Sequence, residues 1–297
     1  MGAHHHHHVH EVRSQSDSAI LSAFFLNAGF AVIEFIGGHY TNSTAIKSDA
    51  IHDLGDSLTL LFSYFAEKMS HKEEDEIFTF GYRRFSVLAA LINGLVLLGG
   101  TGYVIYEAIG RLYEPEPVVA SGMIVFALLG IGVNGLAAFK LKRSGGLNSK
   151  MIMLHLLEDI LGWVAVLVVS IVLMFKPWYF LDSVLSILIS LVVIRGVYKN
   201  FISIGSILLQ KFPAGLEKNR IREKILSYDC VQDVHLVRGW SIDESKFYLT
   251  LHVRVSLDTT MGQLDSLRKE IETFLREEDV LYSTIQFEGE ECREETH

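Results

Sequence analysis

The sequence predicts a membrane α-helical bundle of six transmembrane helices followed by a cytoplasmic α+β domain of ferredoxin-like type, in the order α-β-β-α-β. Three observations carry this. The chain of 297 residues is 49% hydrophobic and has a mean hydropathy of +0.30, which is more apolar than soluble domains usually are. Its apolar residues gather in the first two thirds, in runs long enough to cross a bilayer. The last third is polar and charged, and there the pattern changes to the period-two alternation of strands. The organisation read from this is a His-rich tail or tag at 1–14, a transmembrane domain at 15–210 and a cytoplasmic domain at 211–297.

Apolar spans fall at Ser18–Gly38, Arg84–Leu112, Ser121–Leu141, Leu154–Phe175 and Leu181–Val197. A sixth, Ala45–Met69, is apolar in its second half only. Its first half carries Lys47, Asp49, His52, Asp53 and Asp56, which need a wet or protein-lined interior because lipid satisfies no polar group. Six crossings put both termini on one side. Lys68, Lys72, Arg83, Arg84, Lys140, Lys142, Arg143, Lys199, Lys211 and Lys218 gather there, while the opposite loops hold one lysine between them. The excess of positive charge makes that side the cytoplasm.

In the polar third, Leu216–Leu226 reads as a helix. Val231–Ile242 and Lys246–Val255 read as strands, and in the second Phe247, Leu249, Leu251, Val253 and Val255 alternate with more polar neighbours. Met261, Leu264, Leu267, Ile271, Phe274 and Leu275 form a helical stripe, and Val280–Glu288 supplies a last strand. A sheet with helices on one face accommodates this order.

Net charge and cysteines narrow the function. A charge of −9 does not favour nucleic acid as a partner. Cys230 and Cys292 both fall in the polar third and form no disulfide framework. The start, MGAHHHHHVHEV, lacks the basic-then-apolar order of a cleavable signal; its histidines read as an expression tag or as a native metal-collecting tail. HExxH is absent, which argues against an intramembrane metalloprotease.

The chemistry concentrates in two copies of His-x-x-x-Asp, His52/Asp56 and His155/Asp159, both inside predicted membrane helices. Residues four apart share a helix face. Ionisable groups at this depth cost about 2.5–3.5 kcal/mol each on insertion scales, so they point to function. The second span is centred near Asp56 and the fifth, if it begins near Ser149, near Ile160, so both pairs lie within roughly one to two turns of the bilayer centre on helices running in opposite senses. Two nitrogens and two oxygens converging there suit a divalent metal such as Zn²⁺; the alternative is a pair of polar networks gluing helices together. Asp49 and Asp53 share this face as vestibule or as partners of the imidazoles, and Glu158 points away. Asn27, Glu34, Asn93 and Asn134 are expected to make interhelical hydrogen bonds. In the polar domain, His235, His252, Gln286, Glu288 and Cys292 offer donors that adjacent strands and the tail can bring to a second metal site.

These pieces have a family resemblance. The chain resembles the cation diffusion facilitator transporters in LNAGFAVIEFIGGHYTNSTAIKSDAIHDLGD, FTFGYRRFSVLAALINGLVLL, YEAIGRLYEPEPV, HLLED, VQDVHLVRGWSI and STIQFEGEEC. The resemblance implies a homodimeric six-helix transporter that moves divalent metal out of the cytoplasm in exchange for protons, under regulation by a metal-binding cytoplasmic domain. It places the transport site at His52, Asp56, His155 and Asp159, and a histidine in both pairs is similar to the zinc-preferring branch. Zn²⁺ is then substrate and regulatory ligand, protons are the counter-ion, and the setting is a bacterial or archaeal plasma membrane. Family members often carry a histidine before TIQ, where this chain has Tyr282 and Ser283. Asp53 is unusual between His52 and Asp56, and LKRSGGLNSK lacks the His-rich loop of many eukaryotic members. Two other readings stay open, a transporter of another divalent metal (Co²⁺, Cd²⁺, Fe²⁺, Mn²⁺ or Ni²⁺) and a membrane metal sensor or scaffold that binds without transporting.

Overall fold

The computed structural model describes the backbone at residues 5–70, 72, 74–141, 147–243 and 246–289, with most side chains from residue 21 onward. Six long helices come first: α1 His5–Thr41, α2 Thr44–Ser70, α3 Arg84–Tyr113, α4 Ala120–Leu141, α5 Leu147–Phe175 and α6 Phe180–Leu208. They are followed by α7 Lys218–Leu226, β1 Val231–Ser241, β2 Phe247–Val255, α8 Met261–Glu277 and β3 Val280–Glu288. The chain divides into two compact units, one comprising Met1–His71 and Leu88–Phe201, the other Lys72–Val87 and Ile202–His297.

In the first unit, α1, α3, α4, α5 and α6 each contain a stretch long and apolar enough to cross a membrane. The acidic first half of α2 keeps it from qualifying by composition, as its sequence requires. α1 is longer than its apolar span, since its backbone is already helical at His5. The α1–α2 connection is very short. Asn42 takes a positive φ of 54°, a conformation asparagine tolerates, and Ser43 N–H donates back to Gly38 O at 3.0 Å. Ser43 then caps α2, its Oγ accepting from Ile46 N–H at 3.2 Å. Along their lengths α1 packs on α2 and α4 packs on α5, whereas α2 meets α5 only locally.

The α4–α5 contact depends on a missing side chain. A Cβ at Gly130 would stand 2.3 Å from the ring of Trp163, which is fully buried. Gly130→Val forces the indole out of its seat, and overpacking of this kind costs about 1–3 kcal/mol. The expected outcome is a lower thermal midpoint of the detergent-solubilised protein, with Gly130→Ala intermediate.

The second unit is built on a three-stranded sheet of order β1-β2-β3. β1 and β2 are antiparallel, and β2 and β3 are parallel. The alternating residues Leu249, Leu251, Val253 and Val255 of β2 face Ile221 and Ile225 of α7 and Leu267, Ile271 and Leu275 of α8 in one apolar core. Thr260 caps α8 reciprocally with Gln263. Met261, read from sequence as part of the α8 stripe, is 81% exposed; it occupies the first helical position, where its side chain clears the sheet. The Lys72–Val87 segment joins this unit through Arg83 Nη1, 3.1 Å from Asp243 Oδ2, and through an edge-on contact of the Phe80 and Tyr248 rings. Tyr82 and the amides of Phe78 and Ile77 donate hydrogen bonds to Asp75, which hold its carboxyl below the usual carboxylate range.

Candidate metal sites

On α2, His52 Nε2 stands 3.9 Å from Asp56 Oδ2, one turn apart as the four-residue spacing dictates. From α5, Asp159 comes within electrostatic reach of Asp49 and Asp53 of α2 and of Glu34 of α1. Asp56 interacts in turn with Asp49 and Asp53. Asp49 lies alongside α5 at Gly162, where a Cβ would be 3.9 Å from its Oδ1. His155 occupies the turn of α5 before Asp159, and its side chain lies outside the described residues. α1, α2 and α5 thus bring carboxylates and an imidazole to one place inside the bundle. Nitrogen and oxygen donors in such a set suit a zinc-like cation, and like charges gathered out of water require a cation or protons to balance them.

The supports of this site are partly unforeseen. Asp182 at the start of α6 is fully buried. It accepts from Ser43 Oγ at 2.5 Å, from Thr44 N–H at 2.6 Å and from Thr44 Oγ1 at 2.9 Å. One turn on, Ser186 Oγ donates to Thr44 O at 3.0 Å, and a further turn on Ser190 Oγ is 3.0 Å from Ser48 Oγ. The signal in the sequence was the i, i+4, i+8 spacing of Asp182, Ser186 and Ser190 on an otherwise apolar helix, a polar stripe that fixes α2 against α6.

The four polar groups expected to bond between helices do not behave alike. Asn93 does so, donating to Gly55 O at 3.2 Å and to Thr59 Oγ1 at 2.7 Å across the α2–α3 contact. Asn134 instead donates to Gly130 O in its own helix, at 3.2 Å, the carbonyl one turn back that the helical repeat places below its side chain. Asn27 is exposed. Glu34 is fully buried, and its carboxyl meets that of Asp53 across the α1–α2 contact, where a hydrogen bond requires a proton on one of the two.

In the second unit, His235 and His252 are direct cross-strand partners in β1 and β2, with ring centroids 5.5 Å apart. β3 brings Glu288 to both: Oε1 is 2.5 Å from His252 Nδ1 and Oε2 is 3.2 Å from His235 Nε2. One donor atom from each of these three residues lies within 4.8 Å of the others. His235 Nε2 and Glu288 Oε2 are buried and make no hydrogen bond, as groups aimed at an ion would be. Gln286, exposed on β3, stands beside the three and donates from Nε2 to Glu288 Oε1 at 2.9 Å. Cys292 lies outside the described residues.

Sequence reasoning missed Asp233. Its Oδ2 is 3.2 Å from His235 Nδ1, and a two-residue spacing on a strand is the signal that places both on one face. Burial works against its ionised form, yet hydrogen bonds from Arg222 and the Val234 amide outweigh it and hold the carboxyl below its usual range. The Asp233 carboxylate faces Nδ1 at ion-pair distance without a hydrogen bond, and Nε2 is turned toward Glu288.

Two family models match the chain in succession, and the first of them includes the Lys72–Val87 segment that packs with the second unit. The family model for the cation efflux transmembrane domain matches residues 20–209, and that for the cation efflux protein cytoplasmic domain matches 213–290. A cadmium, cobalt and zinc/H(+)-K(+) antiporter of Bacillus subtilis is 34% identical over 276 residues, 91% of this chain and 88% of the relative. The metal cation efflux system protein CzcD of Cupriavidus metallidurans is 32% identical over 290 residues, 97% of this chain and 91% of the relative. The zinc transporter ZitB of Escherichia coli is 31% identical over 297 residues, covering 98% and 94%. With both units matched and relatives aligned end to end, this chain belongs to the cation efflux family, the cation diffusion facilitators of bacterial type, and is an integral membrane protein.

Proposed function

We propose that the chain exports Zn²⁺ from the cytoplasm in exchange for protons, with His52, Asp56, His155 and Asp159 holding the cargo near the middle of the membrane. The observation that carries this is the convergence of α2 and α5 carboxylates beside His52 inside a bundle of bilayer-length helices. Carboxylates and imidazoles bind metal only when deprotonated, so loading displaces protons and protonation unloads the site. A bundle that opens alternately to each face converts that competition into coupled flow. Both termini lie in the cytoplasm on the positive-inside argument, in a bacterial plasma membrane. The cytoplasmic unit pairs with that of a second copy, and His235, His252 and Glu288, beside Asp233, bind regulatory zinc.

Proteoliposomes with an imposed pH gradient and a luminal zinc indicator test the transport reading. Asp56→Ala and Asp159→Ala are expected to abolish uptake, and uptake that persists in both overturns the assignment. Zinc binding without gradient-driven flux in the unmodified protein identifies a sensor instead. The B. subtilis relative's name includes cadmium and cobalt, so competition among Zn²⁺, Cd²⁺, Co²⁺ and Mn²⁺ in the same assay ranks the cargo. For the regulatory site, His252→Ala is expected to weaken binding of one zinc per chain by at least ~10-fold, read by equilibrium dialysis, and to raise the zinc concentration for half-maximal flux.

A further inference from the structure

Membrane helices and cytoplasmic sheet meet within the second unit of the chain. That unit contains residues 202–208, the last two turns of α6, and residues 84–87, the first turn of α3. α3 has 30 residues and α6 has 29. At a rise of ~1.5 Å per residue each runs ~45 Å, the thickness of a bilayer with its headgroup regions. The start of α3 and the end of α6 therefore lie at headgroup depth. Just past that end the chain turns sharply, with Gln210 at a φ of 54°.

Two adjoining cavities open at this level. One, of about 330 Å³, is lined by Ile77, Phe80, Phe85 and Ile242 together with Arg84, the first residue of α3. The other, of about 520 Å³, is lined by Phe212, Lys218, Arg238 and Thr250. Gln210 and Trp240 belong to both, and tryptophan favours the membrane–water boundary. The cations of these cavities differ from others in the same unit. Arg83 holds Asp243, Arg220 holds Glu278, Arg222 holds Asp233 and Lys246 holds Asp279. Arg84, Lys218 and Arg238 are exposed, and none of the three holds a carboxylate among the described residues. Apolar side chains are exposed here too, Ile77 by 82% and Leu209 by 84%.

Unpaired cations beside an apolar wall, at the depth of the lipid headgroups, call for an amphiphile. A free phosphate answers the cations alone and leaves the apolar wall in water. A lipid answers both. We propose that the two cavities seat an anionic phospholipid, its headgroup held by Arg84, Lys218 and Arg238 and the upper part of its chains laid along Ile77, Phe80 and Phe85. Lysine and arginine hold phosphate through charge-assisted hydrogen bonds, which are stronger than neutral ones. One lipid then touches both the segment that enters α3 and the turn that leaves α6. The site gives the protein a preference for anionic membranes, and it does not depend on which metal is carried.

The test is native mass spectrometry of the full-length protein in detergent, titrated with phosphatidylglycerol or with phosphatidylcholine of the same acyl chains. Each Lys or Arg near an anionic surface is worth about fivefold in affinity, so phosphatidylglycerol is expected to bind ~10-fold or more tighter. On the same scale, Lys218→Gln with Arg238→Gln is expected to weaken phosphatidylglycerol by about 20- to 30-fold and to leave phosphatidylcholine nearly unchanged. Both side chains are exposed, so the double variant keeps the fold. Arg276→Gln removes another exposed cation, at the end of α8, and is expected to change neither lipid. Equal binding of the two lipids, or an equal loss in Arg276→Gln and the double variant, overturns the site. Displacement of phosphatidylglycerol by inorganic phosphate identifies a free anion as the occupant and overturns it as well. A double variant that changes oligomeric state with lipid binding intact assigns the surface to a second copy, which also overturns it.

Discussion

Asp159→Asn is expected to cut gradient-driven zinc flux by about two orders of magnitude or more, while leaving the thermal midpoint of the protein unchanged or higher. Asparagine keeps the shape of the side chain but offers a neutral oxygen, a much poorer partner for zinc. Even residues one shell removed from a metal change affinity about 10–100-fold, so loss of the proposed direct ligand is expected to lie at or beyond the top of that range. Stability moves the other way because Asp159 acts electrostatically on Glu34, Asp49 and Asp53, and removing one of several like charges relieves repulsion. Flux in proteoliposomes and a melting curve in the same detergent check both halves. A variant that loses both flux and stability identifies Asp159 as a packing residue.

Asp182→Ala is expected to do the reverse, destabilising first and inactivating as a consequence. The carboxylate is the acceptor for Ser43 Oγ, Thr44 N–H and Thr44 Oγ1, all of them buried. Each buried donor left without a partner costs about 1–3 kcal/mol. The negative charge also sits at the N-terminus of α2, where the helix dipole favours it by ~0.3–2 kcal/mol. A net loss of about 3–5 kcal/mol follows, in the range seen when a buried charged partner is deleted. It should appear as a markedly lower thermal midpoint and poor recovery from membranes. Asp182→Asn retains one acceptor but turns an N–H₂ toward other donors, so it falls between the two. An Asp182→Ala protein as stable as the parent would show that Ser43 and Thr44 find other acceptors.

The sequence made most of the architecture legible, for definite reasons. Five apolar helices announce themselves by length, and the sixth by the contradiction between its charges and its apolar second half. β2 was readable because Leu249, Leu251, Val253 and Val255 alternate without interruption. His52 with Asp56 and His235 with His252 were readable because each was a chemically distinct residue in an otherwise ordinary pattern. What escaped notice was polar residues whose partners lie far along the chain. Asp182 answers Ser43 and Thr44 from 138 or more positions away, a pairing that no local periodicity encodes. Glu34 was expected to bond between helices like Asn93, and it does so through Asp53 of α2, a carboxyl–carboxyl pair that needs a proton on one of its two members. Asp233 was hidden by the irregular start of β1, where the register shifts.

The extended contacts of α1 with α2 and of α4 with α5, set against the narrow contact of α2 with α5, have a mechanical meaning. The short α1–α2 connection and the Asp182, Ser186 and Ser190 ties make α1, α2 and the N-terminal part of α6 one lever. Gly130 and Trp163 make α4 and α5 another. His52 and Asp56 ride on the first lever and His155 and Asp159 on the second, so the proposed transport site straddles the seam between them. On the proposed transport reading, shear along that seam would separate the two pairs of ligands without breaking a helix, and a bound ion would be the latch that resists it.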